Sequence, residues 1–316
     1  MIGKTLNTTL ELSELNRTSG RIFMTGMPGT ILDEDTEAII RDYSPAGVIL
    51  FSRNIEDPLQ LAGLCRDLQA AAMKYHGVPL FISVDQEGGM VARLKSPFTI
   101  FPGNEVMGND ENPLGRAEEF GRITAYEMKM VGLNMDLAPV LDVRKGATEK
   151  HLIGRTFSDN HRLTAKMGAV VIKTLQAKGI MAVAKHFPGL GRAGKDPHFH
   201  LPVIKSDRIY IDKINLTPFR SAVRAGVSGI MTSHALYPSL DPENPATLSP
   251  VILGDLLRGK MRFRGLIITD DLEMGAITGQ HDVAQGALNS FQAGADILLI
   301  CKDQKKLLDS ICLIRN

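Results

Sequence analysis

The sequence has little cysteine, no excess of charge of either sign and no long apolar run. Its 316 residues include three cysteines, Cys65, Cys301 and Cys312, without the spacing of a metal site. An odd and small number excludes a disulfide framework and favours a reducing compartment. We therefore expect a cytoplasmic protein.

The charges almost cancel, because 36 Lys and Arg face 35 Asp and Glu, for a formal net charge of +1. This balance argues against a nucleic-acid-binding protein. No apolar run approaches the roughly 18 residues of a membrane span, and the N-terminal segment MIGKTLNTTL lacks the apolar core of a signal peptide. With 44% hydrophobic and 22% charged residues, the composition is that of an ordinary globular protein.

Eight short apolar runs recur along the chain, with longer amphipathic segments between them. Such runs are typical of parallel strands that are buried on both faces. They begin at Arg21, Gly47, Leu80, Leu133, Gly179, Gly229, Gly265 and Ala295. The helical spacing of apolar residues and the N-terminal caps predict helices over residues 57–76, 113–131, 160–178, 217–225, 249–261, 283–293 and 304–314.

Eight strands alternating with helices, without a linker between them, favour an α/β fold. We predict a closed (β/α)8 barrel of TIM type, with residues 1–316 as a single catalytic domain. The alternative is a doubly wound open sheet. Because active sites lie at the carboxyl ends of barrel strands, the ionisable residues that end the apolar runs are candidate site residues. These are Asp85, Lys185, His186, His234, Asp270 and Asp271.

The segment KHFPGLGRAGKDPHFHLP follows the fifth predicted strand. Gly189, Gly191 and Gly194 have the spacing of a dinucleotide-binding loop, but that motif requires a helix to begin inside it. Pro197 and Pro202 follow instead, so we predict no nucleotide cofactor. The glycines indicate a mobile loop over a pocket.

This loop carries Asp196 and His198, two positions apart. Side chains at that spacing in an extended segment lie on one side. The carboxylate can then orient the imidazole and leave its other nitrogen as a general acid/base. The alternatives are a solvated loop, or a metal site that would also use His186, His200 and His234.

The residue pattern does not decide the roles of the other strand-end residues. Asp270 and Asp271 point to opposite sides of a strand, so only one would face a pocket, and alternation does not say which. Either could be a nucleophile, a metal ligand or a helix cap. Asp85 could bind hydroxyl groups or belong to an ordinary turn, and Arg155 could bind an oxyanion or remain in solvent.

Taken together, the segments resemble the family 3 glycoside hydrolases, and within them the single-domain β-N-acetylglucosaminidases. The resemblance covers most of the chain, from Gly20 to Cys301. Its segments occur in the order of the family: GVILFSRNI, VDQEGGMVARL, NMDLAPVLDV, KHFPGLG with DPH, MTSH, TLSPVILGDLLR and ITDDLEMGAI.

The resemblance implies a (β/α)8 barrel that releases terminal GlcNAc with retention, acting on muropeptides from peptidoglycan. It implies that Asp270 is the nucleophile and that His198, assisted by Asp196, is the acid/base. It implies neither a metal nor a cofactor. The sugar would be bound by polar side chains at the strand ends, namely Asp85, Arg93, Arg155, Lys185 and His186.

Some positions depart from the family pattern. Met90, Leu190 and Pro197 replace residues that are usually Arg, His and Ser or Thr, and IGRTF around Arg155 is one residue shorter than usual. Two-domain relatives take their acid/base from a second domain, so we expect the loop-borne His198 to serve here. A β-glucosidase-like enzyme of the same family, a metal-dependent barrel hydrolase and a non-enzymatic sugar-binding barrel are the alternative functions.

Overall fold

The computed structural model describes residues 14–146 and 150–316. Residues 1–13, over which the sequence predicts no leader, lie outside the described residues, as do residues 147–149. Eight parallel strands close into a barrel. In chain order they are β1 (Phe23–Thr25), β2 (Gly47–Ile49), β3 (Phe81–Val84), β4 (Met135–Asp136), β5 (Met181–Phe187), β6 (Gly229–Thr232), β7 (Leu266–Asp271) and β8 (Ile297–Ile300).

One principal helix follows each strand. The helices are α1 (Glu34–Tyr43), α2 (Pro58–His76), α3 (Pro113–Met130), α4 (His161–Ala177), α5 (Leu216–Arg224), α6 (Val251–Lys260, of π type), α7 (Val283–Ala293) and α8 (Gln304–Arg315). Shorter elements are the helices Asn104–Gly108, Arg208–Tyr210, Ile211–Asn215 (π) and Gly275–Thr278, and the 3-10 turns Ser52–Asn54, Lys150–Leu152 and Ala246–Leu248.

The first strand closes the barrel. In β1, Met24 is in register with Gly47 of β2, and Phe23 is in register with Leu298 of β8. All eight apolar runs form barrel strands, so the predicted (β/α)8 fold is confirmed and the open sheet is wrong. Among the described residues, no helix combines the length and apolarity needed to cross a bilayer.

The helix ends agree with the capping signals of the sequence. Asp57 caps α2 by accepting hydrogen bonds from the backbone N–H groups of Leu59 and Gln60, with Pro58 in the first turn. The glycines that follow α3, α4, α5 and α7 all have positive φ, which ends a helix without a Cβ clash. They are Gly132, Gly179, Gly226 and Gly294.

Sequence reasoning missed α1. Its N-cap is Asp33, whose carboxylate accepts a hydrogen bond of 2.8 Å from the backbone N–H of Thr36. Only Thr36, Ile39 and Ile40 are buried in this helix, so its apolar stripe is too short to stand out. The cap and the acidic first turn were the available signals.

Two apolar layers hold the barrel together. The larger lies between the strands and the surrounding helices and includes Phe23, Val48 and Leu298. The smaller is formed by strand residues whose side chains point inward and fill the barrel, including Met24, Met135 and Met231. The filled interior leaves the carboxyl ends of the strands as the place for a ligand.

Two short hairpins extend these ends. Gln86–Gly88 pairs with Val91–Ala92 directly after β3, and Leu236–Tyr237 pairs with Asp241–Pro245 after β6. The first hairpin contains Glu87 and is flanked by Asp85 and Arg93, the charged residues that follow β3.

Candidate active site

A cavity of about 270 Å³ opens at the carboxyl ends of the barrel strands. Of the predicted site residues, only Asp196 and His234 are not part of its lining, and Asp196 is hydrogen-bonded to the lining residue His198. The polar and charged lining residues are Asp85, Arg93, His151, Arg155, Lys185, His186, His198, Asp270, Asp271 and Lys302. The fold thus brings residues from positions 85 to 270, which the sequence singled out as site residues, into one cavity.

Lys185, at the end of β5, is buried beneath the cavity. Its ammonium group lies 2.7 Å from a carboxylate oxygen of Asp85 and 2.7 Å from one of Glu87. Arg93 binds the second oxygen of Asp85 at 3.0 Å. Burial by itself would raise the pKa of Asp85, but the cations of Lys185 and Arg93 outweigh it and hold the pKa well below its usual value. Asp85 is therefore an anionic hydrogen-bond acceptor at the cavity wall.

Arg155 is held by Glu87 through two parallel hydrogen bonds of 2.8 Å each. Burial opposes ionisation of Glu87, yet Lys185 and Arg155 lower its pKa to about 2. The pairing fixes the plane of the Arg155 guanidinium. Although the IGRTF segment is shorter than the family pattern, Arg155 lines the cavity.

His186 follows Lys185 and is oriented by a buried carboxylate. Its Nδ1 lies 2.7 Å from Oδ2 of Asp142, while Oδ1 of the same carboxylate accepts a 2.6 Å bond from the backbone N–H of Leu190. Asp142 thereby joins the β5 end to the start of the following loop. It orients the ring so that Nε2 remains for a ligand.

Asp270 and Asp271 both line the cavity, contrary to the simple alternation that would face only one of them inward. They differ in charge. Burial would raise the pKa of Asp270, but His186, His234 and the backbone N–H of Asp271 lower it overall. Burial raises the pKa of Asp271 to about 6, and the carboxylates of Glu273 and Asp270 add to this. Asp270 is therefore the carboxylate that remains ionised at neutral pH and below.

His234 supports this strand end from β6. Its Nε2 lies 3.0 Å from the backbone oxygen of Asp271, and its Nδ1 lies 2.7 Å from the hydroxyl of Thr247. A carbonyl oxygen can only accept, so Nε2 carries the proton. Burial lowers the pKa of His234, although the neighbouring Asp270 carboxylate opposes this shift.

The predicted pair on the loop after β5 is formed. Oδ1 of Asp196 lies 2.7 Å from Nδ1 of His198 and also accepts a 2.9 Å bond from the His198 backbone N–H. Burial opposes ionisation of Asp196, but these bonds to His198 lower its pKa overall. The His198 side chain is 57% exposed, so Nε2 can reach a ligand in the cavity.

The loop itself differs from the expected mobile segment in its first half. Leu190 and Ala193 are buried. A Cβ on Gly191 would lie 2.0 Å from the Val143 carbonyl oxygen. The glycine therefore permits close packing at this point. No helix opens within the glycine segment, in agreement with the rejected dinucleotide motif.

Sequence reasoning missed the roles of Glu87 and Asp142 and the presence of His151 in the cavity lining. Glu87 and Asp142 lie inside the family segments and could have been found there. His151 gave no signal. Both its ring nitrogens are buried without a hydrogen-bond partner among the described residues, and burial lowers its pKa.

Three of the four imidazoles considered for a metal site are hydrogen-bonded to aspartates. His186, His198 and His234 bind Asp142, Asp196 and Asp271 respectively. Within residues 14–146 and 150–316, no group of three or more His, Cys, Asp or Glu side chains could hold a metal ion.

Carboxylates and imidazoles around a cavity at the carboxyl ends of a (β/α)8 barrel are groups with which a glycoside hydrolase can work. The model of the "Glycosyl hydrolase family 3 N terminal domain" matches residues 12–314. The chain belongs to glycoside hydrolase family 3, as the sequence resemblance predicted.

The relatives and solved structures agree with this membership. A beta-hexosaminidase from Nitrosomonas eutropha is 37% identical over 286 residues, which cover 89% of this chain and 80% of the relative. The structure of a family 3 beta-N-acetylglucosaminidase from Paenibacillus sp. str. FPU-7 is 36% identical with a TM-score of 0.92, covering 95% of this chain and 57% of that protein. NagZ from Neisseria gonorrhoeae, in complex with N-trifluoroacetyl-D-glucosamine, is 30% identical with a TM-score of 0.84, covering 92% of this chain and 84% of that protein.

The chain thus spans little more than half the length of the Paenibacillus protein, and most of the length of NagZ. The resemblance to the NagZ-type branch of the family is confirmed.

Proposed function

We propose that this protein is a retaining exo-β-N-acetylglucosaminidase with Asp270 as nucleophile and the Asp196–His198 pair as acid/base. The observation that carries the proposal is the presence, in one cavity, of an ionised strand-end carboxylate and a carboxylate-oriented imidazole. These are the two groups that retaining hydrolysis requires.

In the first step, Asp270 attacks the anomeric carbon and forms a glycosyl–Asp270 ester. The bond from this carbon to the leaving oxygen breaks, and His198 gives its Nε2 proton to that oxygen. In the second step, His198 takes a proton from water, which attacks the anomeric carbon and releases Asp270. Asp196 keeps Nδ1 of the ring bonded throughout, so that Nε2 is the nitrogen that exchanges the proton.

The sugar would be bound by the charged groups around Lys185. Asp85 would accept hydrogen bonds from hydroxyl groups, while Arg93, Arg155, Lys185 and His186 would donate them. The ion pairs of Lys185 with Asp85 and Glu87, and of Arg155 with Glu87, hold these groups in fixed positions before the sugar arrives. Binding would then require little rearrangement.

We infer terminal β-linked GlcNAc as the substrate, because the similar proteins are named beta-hexosaminidase and beta-N-acetylglucosaminidase. We further propose that the barrel of residues 1–316 carries the whole reaction, acting in the cytoplasm on muropeptides without a metal or cofactor. The odd cysteine count supports a reducing compartment, and Cys65 and Cys301 are free and buried.

Replacing the nucleophile tests the reaction. Asp270→Ala should lower turnover of an aryl β-GlcNAc substrate by orders of magnitude, on the order of 10³-fold or more. The exposed Asp309 of α8 provides the control, since Asp309→Asn removes a carboxylate far from the cavity. Near-wild-type activity of Asp270→Ala would exclude the assignment.

The acid role of His198 makes a separate prediction. His198→Ala should lower kcat/KM for poor leaving groups much more than for activated aryl leaving groups, which depart without a proton. Equal losses for both would exclude His198 as the acid.

The alternatives are separated by a substrate panel. Aryl β-GlcNAc should be cleaved much faster than aryl β-glucoside, with and without EDTA. A preference for the glucoside would favour a β-glucosidase, EDTA sensitivity a metal-dependent hydrolase, and binding without turnover a sugar-binding barrel. A muropeptide disaccharide compared with chitobiose would then test the peptidoglycan source.

A further inference from the structure

The acid/base pair lies on a compact turn, which we define as the dyad turn (residues 196–200). The backbone oxygen of Asp196 accepts hydrogen bonds from the N–H groups of Phe199 (3.1 Å) and His200 (3.0 Å). Together with the bonds between Asp196 and His198, they fix the turn internally. They do not fix where the turn stands relative to the barrel.

That placement comes from the segment after β7, the strand that carries Asp270. The backbone N–H of Gly275 donates to the carbonyl oxygen of His198 at 2.9 Å, and the N–H of Ala276 donates to that of Pro197 at 3.1 Å. Both N–H groups belong to the first turn of the short helix Gly275–Thr278, where they lack partners within the helix. The dyad turn satisfies them.

The donors are also fixed relative to Asp270. Asp271 bonds through its backbone oxygen to the N–H of Met274 at 3.0 Å, which closes a turn directly before Gly275. Ala276 and Ile277 are buried. The two hydrogen bonds therefore link the dyad turn to the chain segment of Asp270, through six residues held by hydrogen bonds and packing.

Gly275 leaves no room for a side chain at this contact. A Cβ there would lie 2.7 Å from the backbone oxygen of Phe199 and 2.9 Å from that of His198. Backbone atoms cannot rotate away as the end of a side chain can. Because Phe199 is 71% exposed whereas Ala276 is buried, the dyad turn is the side that would yield.

We propose that Gly275 is a positioning residue for the acid/base, acting with the N–H of Ala276 to hold His198 over the cavity that contains Asp270. The proposal rests on the proposed function, in which His198 is the proton donor. Gly275 does not touch the sugar. It permits the close approach at which both backbone hydrogen bonds form.

Gly275→Ala should therefore impair proton donation more than nucleophilic attack. We expect kcat/KM to fall about 10- to 100-fold for substrates with poor leaving groups, since positioned acid catalysis contributes about 10²- to 10⁴-fold. For activated aryl leaving groups, kcat/KM should stay within about threefold of wild type, because they need no proton. A merely structural defect would lower both by the same factor, through a smaller fraction of active protein.

Two further variants complete the test. Gly254→Ala adds the same methyl group within α6, where nothing lies within 4 Å, and should leave both values of kcat/KM unchanged. Ala276→Pro removes the other donor and directs its Cδ at the Pro197 carbonyl oxygen, without adding a Cβ at Gly275; proline is tolerated in the first turn of a helix. It should also give the leaving-group-dependent loss, even if Gly275→Ala does not fold.

An equal loss for both leaving groups, or no loss with either variant, would overturn the role of Gly275. Failure of the proposed function is distinguished by wild type and His198→Ala. If wild type does not cleave β-GlcNAc, or if His198→Ala shows no leaving-group dependence, the acid/base assignment itself is wrong.

Discussion

Replacing Glu87 with glutamine removes one negative charge from the buried cluster beneath the cavity and keeps the shape of the side chain. Glu87 is bonded to Arg155 by two hydrogen bonds and lies 2.7 Å from the ammonium of Lys185. Its side chain has no exposure to solvent. In the variant, Lys185 and Arg155 would each lose a negatively charged partner. Water could not take the place of that carboxylate, because the cluster is buried.

The magnitude follows from burial and charge. Breaking a buried ion pair by removing one partner destabilises a protein by about 3–5 kcal/mol. The pKa of Glu87, lowered from 4.5 to about 2, corresponds to about 3 kcal/mol of stability in the ionised form. For a chain of this length, 3–5 kcal/mol lowers Tm by about 5–8 °C.

The pH dependence has a definite sign. The pKa of Glu87 is lower in the folded state, so its stabilisation is complete above about pH 4.5 and is lost as the pH falls toward 2. The difference between wild type and Glu87→Gln should be constant from pH 8 to pH 5 and shrink below pH 4.5. Urea unfolding followed by circular dichroism measures it.

The control is the exposed pair of Asp110 and Arg116, whose separation is 2.9 Å. Asp110→Asn makes the same chemical change in solvent and should leave Tm nearly unaltered. If Glu87→Gln were as stable as wild type at pH 7, the cluster would not be a stabilising ion-pair network, and the reasoning would fail. The variant should also raise KM, because Arg155 loses its fixed orientation.

Three further outcomes are expected. Asp271→Asn should be more stable than wild type at pH 8, by up to about 3 kcal/mol, because the Asp271 pKa is raised to about 6. An acid with a raised pKa in the folded state loses its contribution to stability as the pH rises through 6. The two proteins should therefore have the same stability below about pH 4 in thermal melts. Tyr237→Phe removes a buried hydroxyl with two hydrogen-bond partners and should lower the free energy of unfolding by about 1–3 kcal/mol, whereas the exposed Tyr126→Phe should not change it. Asp57→Ala removes the N-cap of α2 and should lower the free energy of unfolding by about 1 kcal/mol in urea titrations. Asp67→Ala, at an exposed position in the middle of the same helix, should have no measurable effect.

The barrel was predictable because its signals are local. A parallel strand buried on both faces needs a continuous apolar run, and all eight runs form strands. Asp57 and Gly294 mark helix ends through hydrogen bonds and backbone angles within a few residues. The α1 helix was missed because it buries only three residues, which leaves little periodicity to detect.

The site was only partly predictable, because its side chains find their partners across the barrel. The Asp196–His198 pair is two residues apart and could be proposed from spacing. Glu87 and Arg155 are 68 positions apart, and nothing near Glu87 in the sequence indicates its partner. Whether Asp270 or Asp271 would be ionised was also undecided.

The sequence by itself determined the barrel, the family and the residues that could do the chemistry, because apolar periodicity, capping residues and motif spacing are properties of neighbouring positions. The tertiary structure alone decided their charge states and placement. It brings Lys185 onto Asp85, one hundred positions away, and the backbone donor of Gly275 onto His198. Ionisation and hydrogen-bond geometry depend on burial and on through-space distance, which exist only once the strands have closed into the barrel.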